Sequence, residues 1–227
     1  VNVDSKSLME LQASTLYVLN EQKRIVRINE QNAPGAPAVF LGHAKDTVLP
    51  YYHEKLPASV VAEISRHAAL PLNIAAVLNA VSTYKPVKGI WIGPAFACVQ
   101  PATDTVSAAV VIDSQNRHLL KPYFEEMISE LEVRQPAAAY IVEGRAVSVC
   151  CCARKSGQAA EASLETAPLY RGRGYAQEAV IAWCEEVRRQ GLLPLYSTSW
   201  DNLSSQRVAH KAGFTQFGSD FSVYVAD

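Results

Sequence analysis

No apolar run in the 227-residue chain reaches the roughly 18 residues that a bilayer-spanning helix requires, so no transmembrane helix is expected. An excess of one charge sign is also missing. The 21 Lys and Arg stand against 22 Asp and Glu, a formal net charge of −1, which gives no broad basic field for nucleic acid or an anionic membrane. A local anion site remains allowed. Charged residues are few, 19% against 49% hydrophobic, and this excludes a disordered chain. There are no internal repeats and no low-complexity tract. The five cysteines form no disulfide framework: the count is odd, and Cys150, Cys151 and Cys152 are consecutive, so on a strand they point to alternate faces. They read as small apolar fillers in a reducing cytoplasm, and no adjacent His makes one a nucleophile. His43, His53, His67, His118 and His210 lack metal-ligand spacing, so no metal is expected. Residues 1–6 lack the basic start, apolar core and cleavage site of a secretory signal. The missing initiator Met leaves room for a removed leader. Cytoplasmic localisation is the expectation.

The length suits one large or two small domains at about 150 residues each. Two composition shifts mark seams, Asn32-Ala33-Pro34-Gly35-Ala36-Pro37 and Gln100-Pro101-Ala102-Thr103-Asp104. They suggest a mixed α/β region over 1–104 and a second domain over 105–227. In the first region, 16–19, 24–28, 38–41 and 88–98 read as strands and 57–69 and 72–81 as helices. No chemical motif appears there. Tyr51-Tyr52-His53-Glu54 is a weak candidate for a substrate surface. In the second region, 106–112 reads as a strand. Leu120, Phe124, Ile128 and Leu131 mark one face of a helix over 116–133. Residues 138–142 and 146–153 form a hairpin about Glu143-Gly144-Arg145, followed by a strand over 158–166. Ala176, Val180, Trp183 and Val187 line a helix that ends at Gly191. A strand over 193–199, a helix over 202–212 and a strand over 221–225 complete a mixed α/β fold.

The segment Thr166-Ala167-Pro168-Leu169-Tyr170-Arg171-Gly172-Arg173-Gly174-Tyr175-Ala176 carries the chemistry. A strand enters a two-glycine loop that opens a helix. Unpaired amides and a partial positive charge at a helix N-terminus favour phosphate. Glycine lets the main chain approach it, and Arg171 and Arg173 add charge. An ordinary strand–turn–helix junction with solvated arginines has the same spacing. A dinucleotide fingerprint is excluded because Gln177 stands where its third glycine is needed. A P-loop is excluded because no Gly-Lys-Ser or Gly-Lys-Thr occurs.

The segment resembles the pyrophosphate loop of the GNAT superfamily of acetyl-CoA-dependent N-acetyltransferases. That loop reads Arg or Gln, two residues, Gly, one residue, Gly or Ala; Arg171, Gly174 and Ala176 match. Pro168-Leu169-Tyr170 is similar to the usual lead-in, and Asn202 and Gly213-Phe214 follow at the family's separation. Trp200-Asp201-Asn202, Ser205 and Ala209-His210-Lys211 resemble a bacterial subgroup with a divergent N-terminal half. The resemblance is firm over 160–214 and extends more loosely from 137 to the end; the first hundred residues show none.

The resemblance implies a GNAT fold in the C-terminal half, with the N-terminal half supplying substrate-side walls. It implies two parallel strands, 158–166 and 193–199, splayed to admit pantetheine as an added strand. Thr166, Ala167 and Pro168 would offer main-chain groups. Arg171, Gly172, Arg173, Gly174, Tyr175 and Ala176 would hold the pyrophosphate. Asn202 and Ser205 would contact the pantetheine arm or the phosphate region, although Asp201 or Asn202 also suits a helix N-cap. Glu161 is the preferred general base and Glu165 the second candidate; a solvated or ion-paired strand Glu is the alternative for each. The family's tyrosine acid is replaced by Ala209, which leaves Tyr175, Tyr196 or water, or an unprotonated leaving thiolate. The implied reaction is acetyl transfer from acetyl-CoA to a primary amine of a small molecule or peptide, with no metal, nucleic acid or membrane partner. A homodimer is compatible with the sequence but nothing specifies it. The alternative function is a CoA-binding sensor or interaction module without catalysis.

Overall fold

The computed structural model describes residues 4–31, 33, 35–99 and 107–226. The seam at 100–104, the boundary at 104/105, the start of the strand read from Val106, and Asn32 and Pro34 of the first seam lie outside the described residues. In chain order the elements are α1 (Ser5–Leu16), β1 (Tyr17–Leu19), β2 (Ile25–Ile28), β3 (Val39–Ala44), β4 (Thr47–Tyr52), α2 (Ala58–His67), α3 (Ile74–Ser82), β5 (Val87–Ala97), β6 (Val110–Ile112), α4 (Lys121–Glu130), β7 (Ala137–Val142), β8 (Arg145–Lys155), β9 (Ala159–Thr166), α5 (Tyr175–Arg189), β10 (Leu193–Ser197), α6 (Leu203–Lys211) and β11 (Thr215–Val225). No helix among the described residues is long and apolar enough to cross a membrane. The chain divides into two compact units. The first comprises the described residues up to Ala95 with Ser197–Asp201 and the chain from Gln216; the second comprises Phe96–Tyr196 and Asn202–Thr215.

In the first unit the strands run β4-β3-β11-β5, beside a small β1-β2 hairpin. Successive residues of β3 serve opposite faces. Val39 and Leu41 pack with Ile64, Val77 and Val81 of α2 and α3, while Phe40 packs with Met9 and Ala13 of α1. Helix α1, which was not read from the sequence, precedes the strand read at 16–19 and takes its first residue, so that strand begins at Tyr17. Asp4 caps it by accepting from the Lys6 and Ser7 amides, both at 3.0 Å. Its buried face includes Gln12 and Thr15, and these polar residues hide the helical periodicity. Gln12 is accommodated because its Nε2 donates to Asp220 Oδ2 at 3.1 Å. Strand β4 was not read from the sequence because Pro50 interrupts it. As the outermost strand, β4 tolerates a residue that cannot donate to the ladder.

The second unit orders its strands as the end of β5, then β10, β9, β8, β7 and β6. The Cys98 amide donates to the Pro194 carbonyl at 3.0 Å. The β7–β8 hairpin turns at Glu143 and Gly144, both with positive φ (49° and 70°), the geometry that two-residue hairpins favour. One sheet face meets α5: Trp183, Ala179 and Val180 cover Ala138, Cys150, Cys152 and Ala160. The other face meets α4: Phe124 and Leu120 cover Ala139, Val149 and Cys151. The cysteine triplet therefore fills both cores, and all five cysteines are buried and outside any disulfide. The helix read over 116–133 is shorter. A 3-10 turn, Arg117–Leu120, precedes α4, because Pro122 lacks an N–H and is accepted only in a helix's first turn. Phe124 then leaves helical geometry at φ −137° while keeping its side chain in the core.

Within the first unit, a Cβ on Gly93 would overlap the carbonyl oxygen of Thr198, where the Thr198 amide reaches the Pro94 carbonyl at 3.4 Å. Gly93→Ala is predicted to lower the unfolding free energy by about 3 kcal/mol, since backbone would have to move. Urea unfolding of the variant with an unchanged midpoint would refute this packing argument.

Candidate functional site

Strands β10 and β9 run parallel, with partners Leu193–Ala159, Pro194–Ala160 and Leu195–Glu161; the register ends there. Strand β9 continues to Thr166, still paired with β8 through Ser148–Thr166. Just beyond, the Ala167 amide donates to the Val147 carbonyl at 2.9 Å. Main-chain groups on a strand address its two neighbours alternately. With Ala167 turned to β8, those of Leu164 and Thr166 are directed to the side that β10 has left. The Thr166 carbonyl receives Arg171 Nε at 3.1 Å, and its hydroxyl pairs with Ser148 Oγ at 2.8 Å. Among the described residues, the second unit thus contains a strand edge at the C-terminal end of β9 that no further strand pairs.

That edge leads directly into the loop. Ala167 is buried, and Pro168–Tyr170 form a 3-10 turn. Gly172 (φ 76°) and Gly174 (φ 86°) adopt left-handed conformations that favour glycine, and neither would bring a Cβ near another atom. Gly174 is the N-cap of α5 and supplies no side-chain hydrogen bond. The first-turn amides of Tyr175 and Ala176 thus have no capping side chain. Arg171 and Arg173 are exposed beside them. Arg173 lies over the Tyr170 ring at 5.5 Å, and Tyr175 stacks on Tyr140 of β7 with centroids 4.3 Å apart. The stack anchors the first residue of α5. The loop's one acidic neighbour in that first turn, Glu178, is engaged elsewhere: its Oε2 accepts from Ser107 Oγ at 3.1 Å and the Ala108 amide at 3.0 Å.

Asn202 caps α6, its Oδ1 accepting from the Ser205 amide at 3.1 Å. The Ser205 and Tyr196 hydroxyls lie 2.6 Å apart, and burial pushes the Tyr196 phenol up to about 12. Ala209 is fully buried. His210 is exposed, edge-on to Phe96 at 5.2 Å.

The two strand carboxylates differ. Glu165 is exposed. Glu161 is 3% exposed and forms an ion pair, its Oε2 lying 3.1 Å from Arg154 Nη1. The pair depends on a bulge in β8. The register shifts between Cys152 and Arg154, so Arg154 rather than Ala153 stands opposite Glu161. Without that extra residue the guanidinium would fall opposite Ala160, within the apolar face beneath α5. Arg154 escaped the sequence reading because a bulge leaves no mark on apolar periodicity. Tyr140 escaped it because its stacking partner is 35 residues away (175 − 140). No cluster of metal-ligating side chains occurs among the described residues.

Residues 138–224 match a family model described as GNAT acetyltransferase. No curated protein matches the chain in sequence. Among solved structures, the chain is similar to a GNAT-family acetyltransferase from Colwellia psychrerythraea (14% identity, TM-score 0.51, 99% of this chain and 98% of that one). It is also similar to a GCN5-related N-acetyltransferase from Kribbella flavida (13%, 0.52, 99% and 96%) and a GCN5-related N-acetyltransferase-like protein from Streptococcus suis (12%, 0.51, 96% and 99%). At these identities the likeness is one of fold. It spans the first half of the chain as well, where the sequence shows no resemblance.

Removing Arg154 takes a positive charge from beside the buried Glu161 carboxylate. Arg154→Met is therefore predicted to cost about 2–3 kcal/mol, and Arg154→Met with Glu161→Gln to recover most of that loss. Chemical denaturation of the two variants checks this; equal stabilities would refute the pairing.

Proposed function

We propose that the chain, whose residues 138–224 match the GNAT acetyltransferase model, is a member of the GNAT superfamily and an acetyl-CoA-dependent N-acetyltransferase that acetylates a primary amine of a small molecule or peptide. The observation that carries this reading is the continuous run from an open strand edge, through two left-handed glycines, to an uncapped helix N-terminus. An extended amide-bearing arm suits the edge, and a diphosphate suits the amides and the arginines at its end. Acetyl-CoA would supply the activated acyl group. We assign its pyrophosphate to residues 171–176 and its arm to the main chain of Thr166 to Pro168. Arg171, which donates to the Thr166 carbonyl, would release that carbonyl on turning to the phosphates.

In the reaction, the neutral amine attacks the thioester carbon. A carbon–nitrogen bond forms, the carbon–sulfur bond breaks, and CoA leaves as the thiolate. An unperturbed lysine-like amine has a pKa of about 10.4, so a proton must first be removed. Glu161 is assigned this task, directly or through water, because it sits at the last residue pair before the strands part. Main-chain amides of β9 directed to the open edge would stabilise the oxyanion. Asn202 and Ser205 shape the start of α6 and line the arm's path in this reading. The exposed Glu165 is the reserve base. The domain reading, substrate walls from 1–104 and acetyl-CoA chemistry from 105–227, is part of the same proposal.

Two tests follow. Arg171→Ala with Arg173→Ala should weaken acetyl-CoA binding at least about tenfold, the loss of a charged hydrogen bond or more, with thermal unfolding unchanged. Unaltered calorimetric affinity would remove the loop assignment. Binding without release of CoA thiol across an amine panel would instead return the sensor reading. For Glu161→Gln, the rise of kcat/KM with pH should be flattened. A wild-type profile would exclude Glu161 as the base.

A further inference from the structure

The first unit holds a cavity of about 570 Å³ that the acetyl-transfer reading does not use. It is walled by four chain segments: the stretch before β3, the segment after β4, the α3–β5 connection with the first residues of β5, and the end of β11 with Ala226. His53, Lys55, Lys85 and Lys88 line it, and no Asp or Glu does among the described residues. The three lysines have no carboxylate partner among the described residues either. Lys85 Nζ instead lies over the Tyr84 ring at 5.8 Å. His53 Nδ1 accepts the Lys55 amide at 3.1 Å, so the neutral ring carries its proton on Nε2 and is a donor. Burial is the largest influence on this imidazole and lowers its pKa, which keeps it a neutral donor near pH 7. The rest of the wall is apolar or aromatic: Leu56, Tyr84 and the half-exposed Ile90.

Three lysines on the walls of one hollow, with no carboxylate among its described lining residues, make it a basic site that attracts an anion. The size lies within the range of small-molecule sites, and a few polar donors over apolar walls is their usual make-up. We propose that this cavity binds a small organic dianion with an apolar body, such as a phosphate monoester or dicarboxylate, separately from the acetyl-CoA loop. The lysines hold the anionic head, His53 adds a neutral hydrogen bond, and Leu56, Tyr84 and Ile90 cover the body.

The test uses the full chain with phenyl phosphate and with phthalate as probes, followed by isothermal titration calorimetry. Saturable one-site binding of either probe is expected, unchanged by saturating CoA or by Arg171→Ala. Lys85→Gln with Lys88→Gln should weaken it at least about tenfold, equivalent to about 1.4 kcal/mol, while Lys121→Gln in the second unit should not. The two probes decide whether the head is a phosphate or a pair of carboxylates. The proposal is overturned if neither probe binds, if CoA displaces the probe, if the paired lysine variant binds as wild type, or if neutral benzyl alcohol binds as tightly. Circular dichroism of the lysine variants guards against loss of fold, and His53→Gln, which keeps a neutral donor, should retain affinity within about threefold.

Discussion

The parallel pairing of β10 with β9 ends after three residue pairs, and the candidate site exists because it ends. A parallel sheet normally satisfies every main-chain group on both edges of an inner strand. Here β9 stays paired with β8 to Thr166 on one side, across the bulge at Ala153, and loses its neighbour after Glu161 on the other. The main-chain groups that β10 does not pair lie at the C-terminal end of a strand that feeds a helix N-terminus, so main-chain polarity from two sources is concentrated along one line, with Arg171 held on the Thr166 carbonyl. Neither the arginines nor the glycines would make a site alone. The glycines bring the amides close, the arginines supply charge, and the Tyr140–Tyr175 stack fixes where the line of amides begins.

The buried polar residues follow a consistent pattern. Gln12 reaches Asp220, Ser148 reaches Thr166, Tyr196 reaches Ser205 and Arg154 reaches Glu161. Each is a specific pair where an apolar pair would also fill space. Such pairs penalise a register slip, because a shift of one residue leaves both partners unsatisfied in a dry interior. The β8 bulge is the clearest case. It adds one residue so that a guanidinium meets a carboxylate instead of the apolar face beneath α5.

Much of the second unit was legible in the sequence, for definable reasons. The hairpin at Glu143-Gly144, the inner face of α5 and the αL glycines are local signals, set by neighbours within a turn or two. The strand–loop–helix junction was legible for the same reason. What escaped was either disguised or non-local. Helix α1 carries Gln12 and Thr15 on its buried side, and β4 carries Pro50 on a sheet edge where it does no harm. The α4 helix was overextended because apolar spacing does not register the missing amide of Pro122. In the site, Asn202 and the loop were legible as types of residue. The partner of Glu161 was not, since it depends on a one-residue irregularity in a neighbouring strand.

The cysteine triplet has a practical corollary. Cys150 and Cys152 lie under α5 and Cys151 under α4. Burial raises all three thiols, Cys152 to about 11, and lifts Cys184 well above its ordinary value. With Cys98 also enclosed, the native protein presents almost no thiolate to solvent. A chromogenic disulfide reagent would therefore meet a silent protein baseline until the chain unfolds, and any coenzyme thiol released in the proposed reaction would be read directly above it.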